Sequence, residues 1–322
     1  MIRLILLRLL QGIPMVIAVI VVCFLMLQLI PGDPVQAMVG DFPVTPAFRE
    51  AIETKYRLND PIFTQLGSYL LNIAGGDLGY SYQNQLPVLQ LIQERLPRTV
   101  LLVVAGFVVA IPLGLLVGLT AGLSANRSTD RIWTTATLVA FGVPTFWLGQ
   151  ILIIVFSLKL NWFPTQGMGP FVSRAVGFDW ILEKLLYLAL PVAVFAIHEG
   201  ARAARIMRAS VQDTLSQGYI VSARMKGLSR QGIICGHVMR NSILPVVTTS
   251  GYAFGSMLGG TVLLESVFTW PGLGLLLIDS VRARDNMTVV GVVVVAAIMV
   301  ILVNIIVDAL YAMIDPRVRS SK

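Results

Sequence analysis

Five polar side chains stand in, or directly beside, strongly apolar stretches of this sequence. They are Gln150, His198, Glu265, Asn304 and Asp308. A polar or ionisable group in an apolar environment costs free energy unless it has a partner, and such groups tend to carry function. Asn304 and Asp308 are four residues apart, so a helix would place them on one face. We therefore expect this pair inside a helix bundle, where a structural hydrogen-bond network is the alternative to a functional site.

The sequence holds no pattern that is typical of an enzyme. A phosphate-binding Gly-x-x-x-x-Gly-Lys-Ser/Thr loop, a His-Glu-x-x-His zinc pattern and a Gly-x-Ser-x-Gly nucleophile are all absent. His198 and Glu199 form a dipeptide near the end of an apolar stretch, which is typical of a polar helix end. Cys23 and Cys235 stand in unrelated contexts, so we expect two free thiols. We expect a non-catalytic chain with no catalytic, cofactor-binding or metal-binding residue.

The elements that must position these polar groups are membrane-spanning helices. Of 322 residues, 56% are apolar and only 13% are charged, and the mean hydropathy is +0.80. A soluble domain carries about 25% charged residues, so the composition predicts an all-α polytopic membrane protein. Six stretches are long and apolar enough to cross a bilayer: Leu9–Ile30, Thr99–Leu123, Trp133–Leu158, Leu182–Ala201, Ile243–Leu264 and Val289–Ile314. Pro144 and Pro191 lie inside the third and fourth stretches, where we expect kinks.

The charges between these stretches predict the orientation of the chain. The first apolar stretch is too long for a signal peptide and no cleavage site follows it, so we expect a retained helix. Region 35–98 carries an excess of acidic residues, whereas both termini, the turn with Arg127 and Arg131, and segment 202–242 are basic. By the positive-inside rule, both termini and segment 202–242 lie in the cytoplasm, and region 35–98 faces outward.

Segment 202–242 is longer than a connection made only for topology needs to be. Arg202, Arg205 and Arg208 recur every three residues, which indicates one face of a helix that continues out of the fourth span. We expect this segment to dock onto a cytoplasmic partner. The alternative is that its positive charge only anchors the helix bundle in the membrane.

Two stretches of this segment resemble the coupling loop of ATP-binding-cassette (ABC) importer permeases. They read Tyr219-Ile-Val-Ser-Ala-Arg-Met-Lys-Gly-Leu228 and His237-Val-Met-Arg-Asn-Ser-Ile-Leu-Pro-Val246. In the general pattern Glu-Ala-Ala precedes a glycine, whereas here Val221, Ser222 and Ala223 precede Gly227. The Leu-Pro pair also comes a few residues later than in the general pattern. Both departures are typical of the dipeptide, oligopeptide and nickel permeases.

Further segments that resemble this branch run along the whole chain. They are Ile30–Pro34, Gly76–Ser81, Glu94–Pro97, Val143–Leu148, Glu265–Phe268, Trp270–Gly274, Asp308–Tyr311 and Asp315–Arg317. The region after the first span resembles the first, or B-type, of the two permeases that such systems use. No single segment is decisive, but their order and spacing together are specific.

The resemblance implies a type I ABC importer permease fold with six transmembrane helices and a cytoplasmic coupling-helix loop. Two short helices with a turn near Gly227 would sit in a groove on a cytoplasmic ATPase, and residues 219–245 would couple ATP hydrolysis to transport. The residues implied in coupling are Ser222, Ala223, Arg224, Lys226, Gly227 and Arg230. The candidate pathway and gate residues are Gln150, His198, Glu265, Asn304 and Asp308, with Glu265 as a contact for the outer gate or the binding protein.

The resemblance also implies a division of the chain, a set of partners and a cargo. The chain would comprise a tail with the first helix at 1–34, an extracytoplasmic region at 35–98 and a permease core at 99–322. It would lie in a bacterial inner membrane with a second homologous permease as a heterodimer, one or two cytoplasmic ATPase subunits and an extracytoplasmic solute-binding protein. No nucleic acid is expected, and no cofactor on this chain, because ATP and magnesium would bind to the ATPase subunits.

The implied cargo is a di- or oligopeptide, and nickel complexes and glutathione are alternatives within the same family. Two other classes of protein compete with this interpretation. A secondary transporter that works alone would usually show internal repeats and several buried ionisable residues. A membrane enzyme would need one of the catalytic patterns that the sequence lacks.

Overall fold

The computed structural model of this chain describes residues 2–29, 33–39, 43–124, 127–170 and 177–314. The α-helices in these ranges are α1 (Ile2–Leu29), α2 (Pro34–Val39), α3 (Pro46–Tyr56), α4 (Ile62–Ala74), α5 (Val88–Leu123), α6 (Arg127–Gly142), α7 (Thr145–Leu152), α8 (Phe178–Leu215), α9 (Gly218–Met225), α10 (Arg230–Ile233), α11 (Met239–Gly260), α12 (Val262–Val267), α13 (Leu273–Arg282) and α14 (Asn286–Ile314). Two π-helical stretches continue α7 and α10, at Ile153–Lys159 and Ile234–Val238. Strands β1 (Tyr80–Ser81) and β2 (Leu86–Pro87) pair as an antiparallel ribbon. Residues 30–32 and 315–317, which belong to two of the family-like segments, lie outside the described residues.

Four of the described helices are long and apolar enough to cross a bilayer. They are Leu6–Leu29 within α1, Val88–Leu123 (α5), Phe178–Leu215 (α8) and Asn286–Ala309 within α14. They correspond to the first, second, fourth and sixth predicted spans. α5 has 36 residues and α8 has 38, whereas a bilayer requires about 20. Each of these two helices therefore extends well beyond the predicted span.

The third predicted span, Trp133–Leu158, is broken. α6 ends at Gly142, and the helical stretch that begins at Thr145 is bent from it by 97°. Pro144 cannot donate the backbone hydrogen bond that would continue α6, and it disfavours helical geometry at the preceding residue, Val143. The expectation of a kink at this proline is therefore wrong. At the other proline α8 runs on, with Pro191 inside it.

The fifth predicted span, Ile243–Leu264, is covered by α11 and α12, which are separated at Thr261. Length and composition do not identify α11 as a span among the described helices, because it carries several hydroxyl residues. Two of these are tied to their own helix, since Thr248 Oγ1 donates to the Leu244 carbonyl at 3.0 Å and Thr249 Oγ1 to the Pro245 carbonyl at 2.8 Å. Such bonds lower the cost of hydroxyls in an apolar environment. The described helices thus support four of the six predicted spans, and a fifth if the two parts of the bent third stretch count as one span. The span Ile243–Leu264 stays a prediction.

The chain divides into two compact units. The first comprises residues 1–100, 258–266 and 271–305, and the second comprises residues 101–257, 267–270 and 306–322. The division of the chain at 34/35 and 98/99 that the sequence suggests stays a prediction.

The first unit has a core formed by the start of α5, α13 and the start of α14. Its buried members include Val88, Ile92, Leu273 and Met287, and side chains of the region 35–98 pack against them. A buried hydrogen bond also ties the ribbon to α14, because Ser81 Oγ donates to Asp285 at 2.5 Å and Thr288 Oγ1 donates to the same carboxylate oxygen at 2.7 Å. The region 35–98 is therefore held in place partly by contacts far away in sequence.

The second unit has a core in which α5 and α8 approach each other closely. A side chain at Gly118 would lie 2.5 Å from the Ala204 carbonyl oxygen and from Met207 Cβ, so only glycine fits there. The same core continues along α8 into the helices that follow it. Its buried members are Ala203, Met207, Val211, Ile220, Ala223, Ile233, Val238 and Val246. This continuity fixes α9 and α10 to the end of α8.

Candidate functional site

The segment between α8 and α11 forms a helix–turn–helix that we call the α9–α10 surface, residues 218–233. α9 ends in a Schellman motif: Leu228 N–H donates to the Ala223 carbonyl at 3.3 Å and Gly227 N–H donates to the Arg224 carbonyl at 3.0 Å. Gly227 has φ +77°, which a residue with a side chain adopts only at a cost. Apart from Gly227 and its two chain neighbours, no atom of the described residues lies within 4 Å of the position of a Cβ at Gly227. The glycine is therefore explained by its own backbone conformation, and not by close contact with another part of this chain.

The next helix begins with a side-chain cap. Ser229 Oγ accepts a hydrogen bond from Gly232 N–H at 3.2 Å, so it satisfies one of the free donors at the start of α10. Both ends of the turn are therefore specified by local sequence. Of the two short helices with a turn at Gly227 that the resemblance implies, α9 and the turn are present. α10, in contrast, is the first turn of a helical stretch that continues through the π-helical residues Ile234–Val238 into α11, so it is not a separate short helix.

The six residues implied in coupling do not share one environment. Ser222, Arg224, Lys226, Gly227 and Arg230 are exposed. Ala223, in contrast, is only 5% exposed, because it packs into the core of its own unit with Met207 and Ile220. Ala223 therefore fixes α9 to this chain and is not placed to contact a partner.

Sequence reasoning missed the apolar part of this surface. Met225 is 77% exposed, and Tyr219, Val221 and Leu228 are exposed as well. Val221 and Met225 are four residues apart in α9, and this helical spacing was the signal that could have revealed them, whereas Leu228 lies beyond the end of the helix. Exposed apolar side chains together with three cations form a surface suited to a protein partner.

Polar contacts fix α8, against which the α9–α10 surface packs, to its neighbouring helices. Thr214 and Ser242 are buried, and Ser242 Oγ donates to Thr214 Oγ1 at 3.2 Å, which ties α8 to α11. Six residues earlier on α8, Arg208 makes a two-pronged ion pair with Asp130 of α6, with nitrogen–oxygen distances of 2.6 and 2.7 Å. A displacement of this surface would therefore be transmitted to α8 and α6.

Glu265 is fully buried in the first unit. Thr99 Oγ1 and Thr261 Oγ1 donate to its Oε1 at 2.7 and 2.9 Å, and Leu275 N–H donates to its Oε2 at 3.0 Å. A Cβ at Gly272 would lie 2.5 Å from both carboxylate oxygens, so this turn requires glycine. The carboxylate joins α5, α12 and α13. The expected contact with the outer gate or the binding protein would require an accessible carboxylate. The carboxylate of Glu265 is buried, so it cannot contact a partner directly.

The other polar candidates lie in three different settings. Gln150 is exposed on α7. Asn304 has a buried side-chain oxygen with no hydrogen-bond partner among the described residues. Asp308 accepts a hydrogen bond from Tyr252 Oη at 3.0 Å, which links α14 to α11.

His198 belongs to an ionic and aromatic cluster between α6 and α8. We define the Phe141 cluster as Phe141, His198, Glu199, Arg202 and Arg205. Glu199 is 2% exposed; it forms an ion pair with Arg202, and its Oε1 lies 3.3 Å from His198 Nδ1. The His198 ring stacks on Phe141 with ring centres 4.9 Å apart, and Arg205 lies 5.3 Å from the same ring centre. The i,i+3 spacing of Glu199 and Arg202 was visible in the sequence, but the partner aromatic ring was not.

Among the described residues, no group of three or more histidine, cysteine, aspartate or glutamate side chains is placed to hold a metal ion. Cys23 and Cys235 are free thiols.

Comparison with known proteins gives consistent matches over nearly the whole chain. Residues 110–320 match the family "Binding-protein-dependent transport system inner membrane component", and residues 1–103 match the N-terminal family of the same membrane components. The oligopeptide transport system permease protein AppB of Bacillus subtilis is 37% identical over 312 residues, 97% of both chains. The glutathione transport system permease protein GsiC of Escherichia coli is 36% identical over 312 residues, again 97% of both chains.

A solved structure shares the fold at low sequence identity. It is an inward-facing form of the MetNI methionine ABC transporter, with a TM-score of 0.53 and 15% identity. The match covers 70% of this chain and 97% of that one. This likeness concerns the fold alone.

Proposed function

Because this chain belongs to the family of binding-protein-dependent transport system inner membrane components, and is thus a permease subunit of an ABC importer, we propose that its cargo is a di- or oligopeptide. The relative AppB, which is named for oligopeptide transport, supports this cargo. Its similarity extends over 97% of both chains, so it includes the region 35–98 as well as the helical core. Glutathione is the second candidate, because GsiC is similar to nearly the same degree.

The α9–α10 surface is the proposed contact with a cytoplasmic ATPase subunit. The observation that carries this proposal is the split of the segment into two faces. Ile220 and Ala223 are buried in the core that includes α8, whereas Met225 and the cations Arg224 and Lys226 are exposed. Because the buried face packs against α8, a force on the exposed face would reach α8 directly and would not be absorbed by a flexible linker. The phosphate-binding loop that ATP hydrolysis requires is absent from this sequence, so the ATPase would be a separate chain.

The remaining assembly follows from the family. The permease would pair with a second, homologous permease, receive cargo from an extracytoplasmic binding protein, and lie in the inner membrane with both termini in the cytoplasm. ATP and magnesium would be held by the ATPase subunits. Closure of those subunits would rock the helices between inward and outward openings, a rigid-body form of alternating access.

The candidate pathway residues divide by their surroundings. His198 and Gln150 remain proposed pathway residues, since both keep some exposure on membrane helices. Glu265, with its three short hydrogen bonds, would hold the turn between α12 and α13 in place. Asp308 would join α14 to α11 through Tyr252.

The proposal is tested by uptake of a labelled dipeptide in a strain with an in-frame deletion of this gene. A plasmid copy of the wild-type gene should restore uptake, and the same plasmid with Met225→Glu should not, although its product reaches the membrane. Labelled glutathione is measured in parallel. Loss and recovery of glutathione uptake alone would replace the peptide cargo by the second candidate, and unchanged uptake of both solutes would refute both.

A further inference from the structure

The polar side chains of α4 (Ile62–Ala74) turn toward the protein. Gln65, Ser68 and Asn72 recur at the spacing of one helix face, are half-buried and line a small cavity with residues of α1. The Gln65 carboxamide donates to two backbone carbonyls, both at 2.9 Å, and accepts a hydrogen bond from Gln28 Nε2 of α1 at 2.8 Å. The polar face of this helix is therefore its inner face.

The opposite side of α4 is exposed and apolar. Phe63 is 83% exposed and Leu71 is 74% exposed. Of the exposed residues of α4, only Thr64 has a polar side chain. A helix on a water-facing surface shows the reverse arrangement, with polar side chains outward and apolar side chains inward. This inversion indicates that the environment of the exposed face is apolar.

α4 also lacks charge, in contrast to the helix before it. None of its 13 residues is an aspartate, glutamate, lysine or arginine. The 11 residues of α3 include four such residues, which are Arg49, Glu50, Glu53 and Lys55. Charged residues resume at both ends of α4, with Asp60 before it and Asp77, which pairs with Lys55 at 3.7 Å, after it. An uncharged helix between charged residues suits the boundary between a polar and an apolar phase.

The inner face of α4 packs on residues of predicted membrane spans. The ring of Phe24 in α1 lies 5.6 Å from the ring of Tyr69, and Ile73 packs against a cluster that includes Ile20 and Val290. These partners belong to α1 and α14, within stretches long and apolar enough to cross a bilayer. Phe24 comes five residues before the end of α1, which is about 8 Å along the helix axis. α4 therefore lies beside the last turns of the first span.

The surface of α1 next to this contact is apolar and exposed as well. Phe24 and Gln28 contact α4, and the residues that directly follow them, Leu25 and Leu29, are 44% and 80% exposed. The exposed face of α4 thus adjoins an exposed apolar face of a membrane span. Large continuous apolar surfaces mark contacts with a membrane or a protein, and lipid is the environment that a span and an adjoining uncharged helix share.

From these observations we propose that α4 lies in the bilayer surface beside the C-terminal end of α1, with Phe63 and Leu71 in contact with lipid. Apolar faces of such helices enter the boundary between headgroups and acyl chains by about 5–10 Å. With the orientation predicted for this chain, α4 lies in the outer leaflet and holds the region 35–98 against it. This contact is independent of the cargo.

The test uses the complete importer, without its binding protein, in nanodiscs of phosphatidylcholine and phosphatidylglycerol. Cys23 and Cys235 are replaced by alanine and serine, the other subunits lack cysteine, and a nitroxide label is attached to Leu71→Cys or Phe63→Cys. Power saturation of the label's spin-resonance signal reports its collisions with oxygen, which concentrates in lipid, and with a nickel chelate, which stays in water.

Two further positions calibrate this measurement. Glu50→Cys labels an exposed position of the charged helix α3 and reports water, whereas Leu25→Cys labels the exposed face of α1 and reports lipid. We expect the ratio of oxygen to chelate collisions at Leu71→Cys and Phe63→Cys to be several-fold higher than at Glu50→Cys. At Leu71→Cys it should resemble the ratio at Leu25→Cys. Assembly of each labelled complex and its basal ATPase rate are measured first.

Two outcomes would overturn the inference. In the first, the labels on α4 collide with the chelate as often as the label at Glu50→Cys, so the face lies in water. In the second, the labels on α4 are shielded from both reagents while the label at Leu25→Cys meets oxygen, so another subunit covers α4. If one of the two α4 variants does not assemble, the other decides, because both labels lie on the same exposed face.

Discussion

Gly227 offers the sharpest test of how the α9–α10 surface works. The glycine could be needed because of its own backbone conformation, or because a partner comes too close to admit a side chain. The two substitutions Gly227→Asn and Gly227→Ala separate these reasons. Asparagine adopts positive φ more readily than alanine does, but it is the larger of the two.

The structure sets the expected magnitude. Gly227 has φ +77°, and a Cβ there meets nothing within 4 Å in the described part of the chain beyond its immediate neighbours. Steric conflict within the chain therefore contributes nothing, and the cost of alanine is that of the left-handed conformation, about 1–2 kcal/mol. Such a cost corresponds to a factor of about 5–30 in the population of the native turn. The cost of asparagine at this position should be only a small part of this free energy.

The assay is initial uptake of labelled dipeptide by the complemented deletion strain, normalised to the amount of permease in the membrane. Gly227→Ala should lower uptake, by at most about 5–30-fold, and Gly227→Asn by less than about twofold. Gly218→Ala is the matched control. It changes another exposed glycine of the same surface, at which a Cβ also has no described neighbour within 4 Å beyond the adjoining residues, and φ is not positive. Uptake should therefore be unchanged.

Two results would refute this reasoning. If Gly227→Ala transports as well as the wild type, the turn does not depend on the left-handed conformation. If Gly227→Asn is as defective as Gly227→Ala, then the size of the side chain matters, and close approach of a partner is the reason for the glycine.

Three further predictions concern other parts of the molecule. Met225→Ser should leave the thermal stability of the purified chain unchanged, because this side chain is 77% exposed. It should, however, reduce the amount of ATPase subunit that co-purifies with the permease. Full recovery of the ATPase subunit would contradict a docking role. Gly272→Ala should destabilise the chain by about 1–3 kcal/mol through overpacking against Glu265. This loss should appear as a lower midpoint in a thermal-shift measurement. An unchanged midpoint would show that the turn can relax to admit the side chain. Arg208→Ala should cost only about 0.5–1 kcal/mol, because both partners of the Asp130 ion pair are 27% exposed; a loss above about 3 kcal/mol would mean that the pair is effectively buried.

Features that depend on a short stretch of sequence were predictable. Each apolar run of about 20 residues predicts a span by itself, and four such helices plus one bent pair are present. The α9–α10 surface was predictable for the same reason, since Gly227 ends one helix and Ser229 caps the next through bonds between residues three to five positions apart. The family resemblance also rests on ordered short segments, and it anticipated the fold correctly.

Features that depend on which helix packs beside which were not predictable. Glu265 was expected at an outer contact, but Thr99, 166 residues away in sequence, helps to bury it. Ala223 was expected on a docking face, but it packs inward on α8. The break at Pro144 was expected to be a kink, because local sequence does not show whether neighbouring helices can compensate for a missing hydrogen bond.

The sequence by itself thus determined the class of protein, most of its spans and the local shape of the α9–α10 surface, because apolar length, turn conformation and helix capping are short-range properties. Only the tertiary structure decided which polar groups are enclosed and which are accessible. The stacking of His198 on Phe141 shows why. These two rings are 57 positions apart in the chain, and their contact depends on the packing of α6 against α8, which is set by many small contacts summed over both helices.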